Sequence, residues 1–322
     1  MRYRLFGSTG LRISELVLGT MGFEDAEESR RIIDAYADAG GNVLDTASAY
    51  GEGESLLGAV IQRRDRFVLG TKYTLSRDTA DLNAAGNHRK NLVLSLEQSL
   101  RRLRTDYIDI YWVHLWDRHT PIEETMRALD DAVRAGKILY VGISDAPAWV
   151  VAQANTLAQW RDWTPFAGLQ VPYNLLQRDI ERELLPMAES LGMTVTVWGP
   201  LARGVLAGAN GRRGSAAELT ARDRAAADAV AAVAAELDVC PAQVALAWLR
   251  HKSAAVVPII GVSSVAQLTD NVGAVQLTLT DDAVRLLEAA APFQLGFPGD
   301  FIAECEPHPF AFGDRATSID GR

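Results

Sequence analysis

Apolar positions along this chain follow two rhythms. Short, almost wholly apolar runs occur at LVLGT (16–20), NVLD (42–45), FVLGTK (67–72), YIDIYWVH (107–114), LYVGIS (139–144), FAGLQV (166–171), MTVTVWG (193–199) and AVVPIIG (255–261). Runs of this kind predict strands buried on both faces. Between them lie longer stretches with helical spacing: AEESRRIIDAYADAG, GESLLGAVIQRR, RKNLVLSLEQSLRRL, PIEETMRALDDAVRAG, a segment opening near residues 145–147, IERELLPMAESLG, an Ala-rich stretch from about Asp223, and SVAQLTDN followed by TDDAVRLLEAAA. Gly40 and Gly41 stop the first of these helices. Pro121 suits the first turn of the fourth, and Glu123 and Glu124 complement its dipole.

Alternating strands and helices predict a parallel sheet covered by helices, and eight such units in about 275 residues predict an α/β fold of the (β/α)8 TIM-barrel type. The expectation is one domain over residues 1–322, with the barrel in 16–291 and a tail in 292–322. RYRLFGSTGLRIS predicts an N-terminal hairpin within 1–15, closing the barrel floor. An open doubly wound sheet is the alternative. It would call for a G-x-G-x-x-G turn after the first strand, and GTMGFE matches that poorly. GANGRRGS (208–215) reads as a mobile loop inside the seventh unit.

Composition narrows the function classes. The 322 residues are 48% hydrophobic and carry a formal net charge of −9. That supports a large core and disfavours nucleic acid as a partner, because an acidic protein neutralises phosphates poorly. The longest apolar runs are broken by Pro or Gly and fall short of a membrane span. The opening MRYRLFGSTG lacks the apolar core of a secretory signal, and Cys240 and Cys305 are the only cysteines. A cytoplasmic protein is expected. The histidines (His88, His114, His119, His251 and His308) show no zinc-site spacing, so no metal is expected.

In such barrels chemistry sits at the C-terminal ends of the strands. Here those ends carry Thr20, Asp45, Lys72, His114, Ser144 with Asp145, Gln170 and Trp198. Each has a structural alternative when taken alone: a helix cap for Asp45, a rim charge for Lys72, a packed ring for His114, a core aromatic for Trp198. Closure of a barrel makes them converge on one mouth. A buried Lys needs a carboxylate partner, and Asp45 is the candidate. An ammonium next to Tyr50 lowers the phenol's pKa and readies it to protonate a developing alkoxide, with His114 orienting the same oxygen. Phe23, Tyr73 and Trp116 follow strand ends and are candidates for a substrate pocket.

At these residues the chain resembles the aldo-keto reductase superfamily, and within it the bacterial branch related to the potassium-channel β subunits. The likeness rests on NVLDTASAYGEGESLLG and on YIDIYWVHLWDRHTPIEETMRALDDAVRAGKILYVGISD, and it runs from LFGSTGLRISELVLGTMGF through QLTDNVGAVQLTLTDD to LGFPGDF. The resemblance implies a catalytic tetrad of Asp45, Tyr50, Lys72 and His114. It also implies a nicotinamide dinucleotide across the mouth, NADP(H) favoured over NAD(H), held near Thr20, Met21, Asp45, Ser144, Asp145 and Gln170. Trp198 would stack on the nicotinamide. Gly199, Pro200, Leu201 and Gly204 would hold the pyrophosphate, and Ile260, Gly261, Ser263, Gln267 and Asn271 the adenosine end.

Two features depart from the family's habit. Asp145 stands where many relatives have Asn. Ser263 and Ser264 stand where relatives often carry a cation for the 2′-phosphate, and hydroxyls bring no charge. The activity implied is reduction of a small-molecule aldehyde or ketone to an alcohol. The alternative is a cofactor-binding regulatory subunit with vestigial activity. The oligomeric state is left open.

Overall fold

The computed structural model describes residues 1–208, 219–315 and 318. The elements run β1 (Tyr3–Leu5), β2 (Arg12–Ser14), β3 (Val17–Gly19), α1 (Ala26–Asp38), β4 (Val43–Asp45), α2 (Gly53–Val60), β5 (Val68–Tyr73), α3 (Arg89–Leu103), β6 (Ile108–Val113), α4 (Ile122–Arg134), β7 (Ile138–Ser144) and α5 (Ala148–Arg161). They continue with β8 (Phe166–Pro172), α6 (Leu184–Ser190), β9 (Thr194–Trp198), α7 (Ala221–Glu236), α8 (Pro241–Lys252), β10 (Val256–Gly261), α9 (Val265–Gly273), α10 (Asp281–Ala290), α11 (Gly299–Cys305) and α12 (Pro309–Phe312). Strands β3 to β10 close into a parallel barrel in chain order, with β10 pairing back to β3. The eight expected strands all form.

Antiparallel β1 and β2 make the expected hairpin, with Tyr3 opposite Ser14. Its loop carries Phe6 into the barrel floor. Phe6 and Ile13 pack there with Val17, Val43, Val68, Ile110, Trp112, Ala167, Val257 and Ile259. The Gly7 N–H donates to Thr194 Oγ1 at 2.7 Å and ties the hairpin to β9. The large core lies outside the barrel wall, between strands and helices, and includes Leu44, Leu69, Tyr73, Tyr111 and Val113. Strand periodicity of two sorts the residues: on β6, Ile110 and Trp112 point in while Tyr111 and Val113 point out.

Trp112 fills the barrel above Phe6, its ring edge-on at 6.0 Å between centroids. Glycines on neighbouring strands make room for it. A Cβ on Gly142 would lie 2.3 Å from the Trp112 ring, and one on Gly168 would lie 2.7 Å from it.

The seventh unit differs from the expectation of one Ala-rich helix. It holds two, α7 and α8. Asp238 takes a left-handed φ of 53° between them, and Pro241 starts the second. Most of the expected loop at 208–215 lies outside the described residues, as do 316–317 and 319–322 of the tail. Among the described residues no single helix is long and apolar enough to cross a membrane.

Gly142→Ala is expected to lower the unfolding free energy by roughly 1–3 kcal/mol through overpacking against Trp112. Urea unfolding measures this. Trp112→Leu in the same chain should make the two losses less than additive, since the clash goes with the ring.

Candidate active site

The mouth is assembled by the same alternation. Asp45 ends β4, Lys72 lies one residue from the end of β5, His114 follows β6, Ser144 ends β7, and Gln170 and Thr196 lie on β8 and β9. Lys72 is 0% exposed and Asp45 5%. The Lys72 Nζ donates to Asp45 Oδ2 at 2.5 Å and to the Thr46 carbonyl at 2.7 Å. The Gln170 side-chain amide donates to Asp45 Oδ1 at 3.2 Å and to Thr196 Oγ1 at 3.3 Å. Both Asp45 oxygens are therefore engaged. The Thr20 hydroxyl donates to the Asp45 carbonyl at 3.0 Å, which holds the end of β4 in place. Gln170 was expected near a cofactor; it also holds the catalytic candidate Asp45. Thr196 was missed. Its signal was a polar residue at an inward position of MTVTVW, two residues from Thr194, which serves the floor.

Tyr50 sits in the turn after β4. Its N–H donates to the Ala47 carbonyl at 3.0 Å, and Gly51 follows at φ 56°, a left-handed conformation that favours glycine. The Lys72 Nζ lies 5.2 Å from the Tyr50 ring centroid. The His114 ring meets Tyr50 edge-on, 6.0 Å between centroids. The structure thus brings Asp45, Tyr50, Lys72 and His114 together.

The electrostatics correct one expectation. Burial raises the Tyr50 pKa and outweighs the Lys72 charge, which lowers it; Asp45 and Asp145 add to the rise. Tyr50 is a neutral phenol at neutral pH. His114 is pushed down to about 3, by burial and then by the Lys72 charge. It is a neutral imidazole, and its Nδ1 is buried without a hydrogen-bond partner among the described residues.

The candidates for a bound dinucleotide lie around this group. Asp145 follows Ser144 with φ 46°, and its Oδ1 accepts from the Trp198 indole N–H at 3.3 Å. Trp198 is 41% exposed. After it the backbone turns through Gly199 at φ 64°, buried Pro200 and Leu201. Ala202, Arg203 and Gly204 follow with φ of 47°, 57° and 97°. A Cβ on Gly199 or on Gly261 would meet nothing within 4 Å, so open ground borders the ends of β9 and β10. Ser263 donates from its N–H and hydroxyl to Gln267 Oε1, at 2.9 and 3.1 Å. Ser264 caps α9, accepting from the Gln267 N–H at 3.3 Å. Asn271 is buried in α9. The Ile260 side chain lies in the helix-facing core.

The substrate candidates divide. Met21 and Phe23 share a cleft of about 610 Å³ with Tyr50 and Leu56. Trp116 lines a second cleft of about 820 Å³ with Thr74, Leu115, Arg118 and Asp145. Trp149 stands edge-on to Trp116 at 5.7 Å. Tyr73 does not line the mouth. It neighbours the inward Lys72 on β5, so it points outward; it is 0% exposed and stacks on Tyr111 at 5.3 Å. GNHRKN is a helix start: His88 caps α3, and Arg89 pairs with Asp131 at 2.7 Å. Among the described residues no cluster could hold a metal ion.

The aldo/keto reductase family matches residues 15–292. The chain belongs to the aldo/keto reductase family. It is 37% identical to a norsolorinic acid reductase of Aspergillus flavus, over 93% of this chain and 83% of that protein. It is 40% identical to the norsolorinic acid reductase of Emericella nidulans, over 92% and 82%. It is 36% identical to an aryl-alcohol dehydrogenase of Pestalotiopsis microspora, over 94% and 85%. The protein is an oxidoreductase of a family that uses nicotinamide cofactors. The donor set suits such a group: an exposed indole plane, glycine-bordered open ground and an imidazole nitrogen without a partner.

Removing Lys72 strands the Asp45 charge. Lys72→Met is expected to cost roughly 3–5 kcal/mol, and Asp45→Asn in the same chain should recover part of it. Chemical denaturation of the four variants of this cycle measures the coupling. For His114 the sign is set by a folded pKa below the unfolded one. The unfolded chain binds the extra proton, so stability falls as pH drops from about 6.5 towards 3. From pH 7 to 5, wild type should lose on the order of 1–2 kcal/mol more than His114→Asn. Equal losses would refute that assignment.

Proposed function

We propose that this aldo/keto reductase reduces an aldehyde or ketone on an aromatic compound to the alcohol, with NADPH as hydride donor. The observation that carries the reading is the Lys72 ammonium, bonded to buried Asp45 and 5.2 Å from the centre of the Tyr50 ring. When bound, the nicotinamide supplies the hydride. The Tyr50 hydroxyl gives its proton to the carbonyl oxygen, and Lys72 stabilises the phenolate left behind. Asp45 and Gln170 hold Lys72 in position. The neutral His114 imidazole donates a hydrogen bond to the same oxygen and orients it. Solvent returns the proton to Tyr50 after each turnover.

The aromatic class is supported by two things. The relatives are named for norsolorinic acid and for aryl alcohols. The cleft beside the mouth is walled by Trp116, Leu115 and Val171. In this reading Ser144, Asp145, Gln170 and Trp198 face the nicotinamide, and residues 199–204 receive the pyrophosphate. Gly261, Ser263, Gln267 and Asn271 receive the adenosine end. NADPH follows the family's habit, and the neutral hydroxyls of Ser263 and Ser264 make NADH the comparison to run. Cys240 and Cys305 are both free thiols, in keeping with a cytoplasmic setting.

Tyr50→Phe is expected to cut kcat by about 10²–10⁴ or more while the cofactor Kd stays within roughly twofold. Steady-state reduction of a panel of aromatic aldehydes, with fluorescence titration of NADPH, reads both. Wild-type turnover in the variant would remove Tyr50 from the reaction. A wild-type chain that binds NADPH but reduces no carbonyl would favour a regulatory role.

A further inference from the structure

The charges of the mouth leave one carboxylate over. Asp45 and Lys72 cancel as a pair, and Tyr50 and His114 are both neutral at neutral pH. Asp145 stands outside that balance. Its hydrogen-bonding neighbours are the Trp198 indole and Ser144, both neutral; burial raises its pKa above the ordinary carboxylate value, and these two bonds and the Lys72 charge oppose that rise. Among the described residues it makes no ion pair, and Lys72, the one cation it senses, is already engaged by Asp45. Its charge reaches Tyr50, whose ionisation it opposes, and it borders the cleft that Trp116 lines.

Two duties at this position need no charge. Asn adopts a left-handed φ as readily as Asp, and its carbonyl oxygen accepts from an indole as well. What Asp alone adds is a negative charge. On the proposed reading, the charge that appears in the mouth during reduction is positive. A bound dihydronicotinamide would supply the hydride to the carbonyl carbon and would itself be left positively charged, while Tyr50 would give its proton to the oxygen. We propose that the Asp145 carboxylate is a redox-biasing residue, making the mouth hold the oxidised, cationic nicotinamide in preference to the reduced, neutral ring.

This inference rests on the reductase reading. Its consequence is thermodynamic. A site that binds the oxidised cofactor tighter than the reduced one makes the bound reduced form a stronger hydride donor, because interactions that grow as charge develops favour the forward step. A tenfold change in the ratio of the two dissociation constants corresponds to about 30 mV for this two-electron couple.

The test is calorimetric titration of the full chain with NADP⁺ and, separately, with NADPH, for wild type and for Asp145→Asn. The expected result is a weakening of NADP⁺ binding roughly five- to fiftyfold greater than that of NADPH. Asp145→Gly, which keeps the positive φ and lacks the charge, should shift the ratio the same way. If both redox forms change by one common factor, or neither changes, the carboxylate is only a hydrogen-bond acceptor and the inference fails alone. If wild type binds neither form, the reductase reading fails, and this inference with it.

Discussion

The site depends on an ammonium kept away from water. Lys72 is fully buried in the barrel mouth, and taking such a charge out of solvent costs several kcal/mol unless it is paired and hydrogen-bonded. Asp45 supplies the countercharge and Thr46 a carbonyl. Gln170 occupies the other Asp45 oxygen, and Thr196 holds Gln170. The arrangement draws on β4, β5, β8 and β9, so the position of one nitrogen is set by strands on several sides of the barrel. The same positive charge helps keep His114 neutral, and it opposes the burial that holds Tyr50 protonated. In the proposed reading, the proton donor Tyr50 and the hydrogen-bond donor His114 are thus both tuned by one group that itself transfers nothing.

That group needs a solid floor. Trp112 lies two residues before His114 on the inward face of β6, and below it Phe6 enters from the hairpin. The glycines at 142 and 168 leave the space that the indole fills. Packed layers of this kind exclude water and fix rotamers, which is what a buried ion pair above them requires. The polar mouth and apolar floor come from the same strands, sorted by height along the barrel.

How far the site could be read in advance varied with the kind of question. The order of strands and helices was legible because short apolar runs and helical spacing are local patterns. Asp45, Lys72 and His114 were legible because a closed barrel sends inward residues at strand ends to one place. Tyr73 was not: one residue past Lys72, it crosses to the outer face and stacks on Tyr111. Nothing in FVLGTKYT states that the strand runs on past Lys72, so that its alternation still holds at Tyr73. The split of the seventh unit into α7 and α8 hinges on a left-handed Asp238, which an Ala-rich stretch conceals.

The sequence by itself determined the eightfold alternation, the hairpin, the convergence of charged strand ends and the family signature, since each is written in neighbouring residues or in their order. Only the tertiary structure decided who partners whom. Gln170 reaches Asp45 across 125 positions of chain, and Trp198 reaches Asp145 across 53. It also decided the direction of the Tyr50 shift, because burial, Lys72 and two carboxylates act on that phenol at once, and their balance depends on distances that barrel closure alone sets.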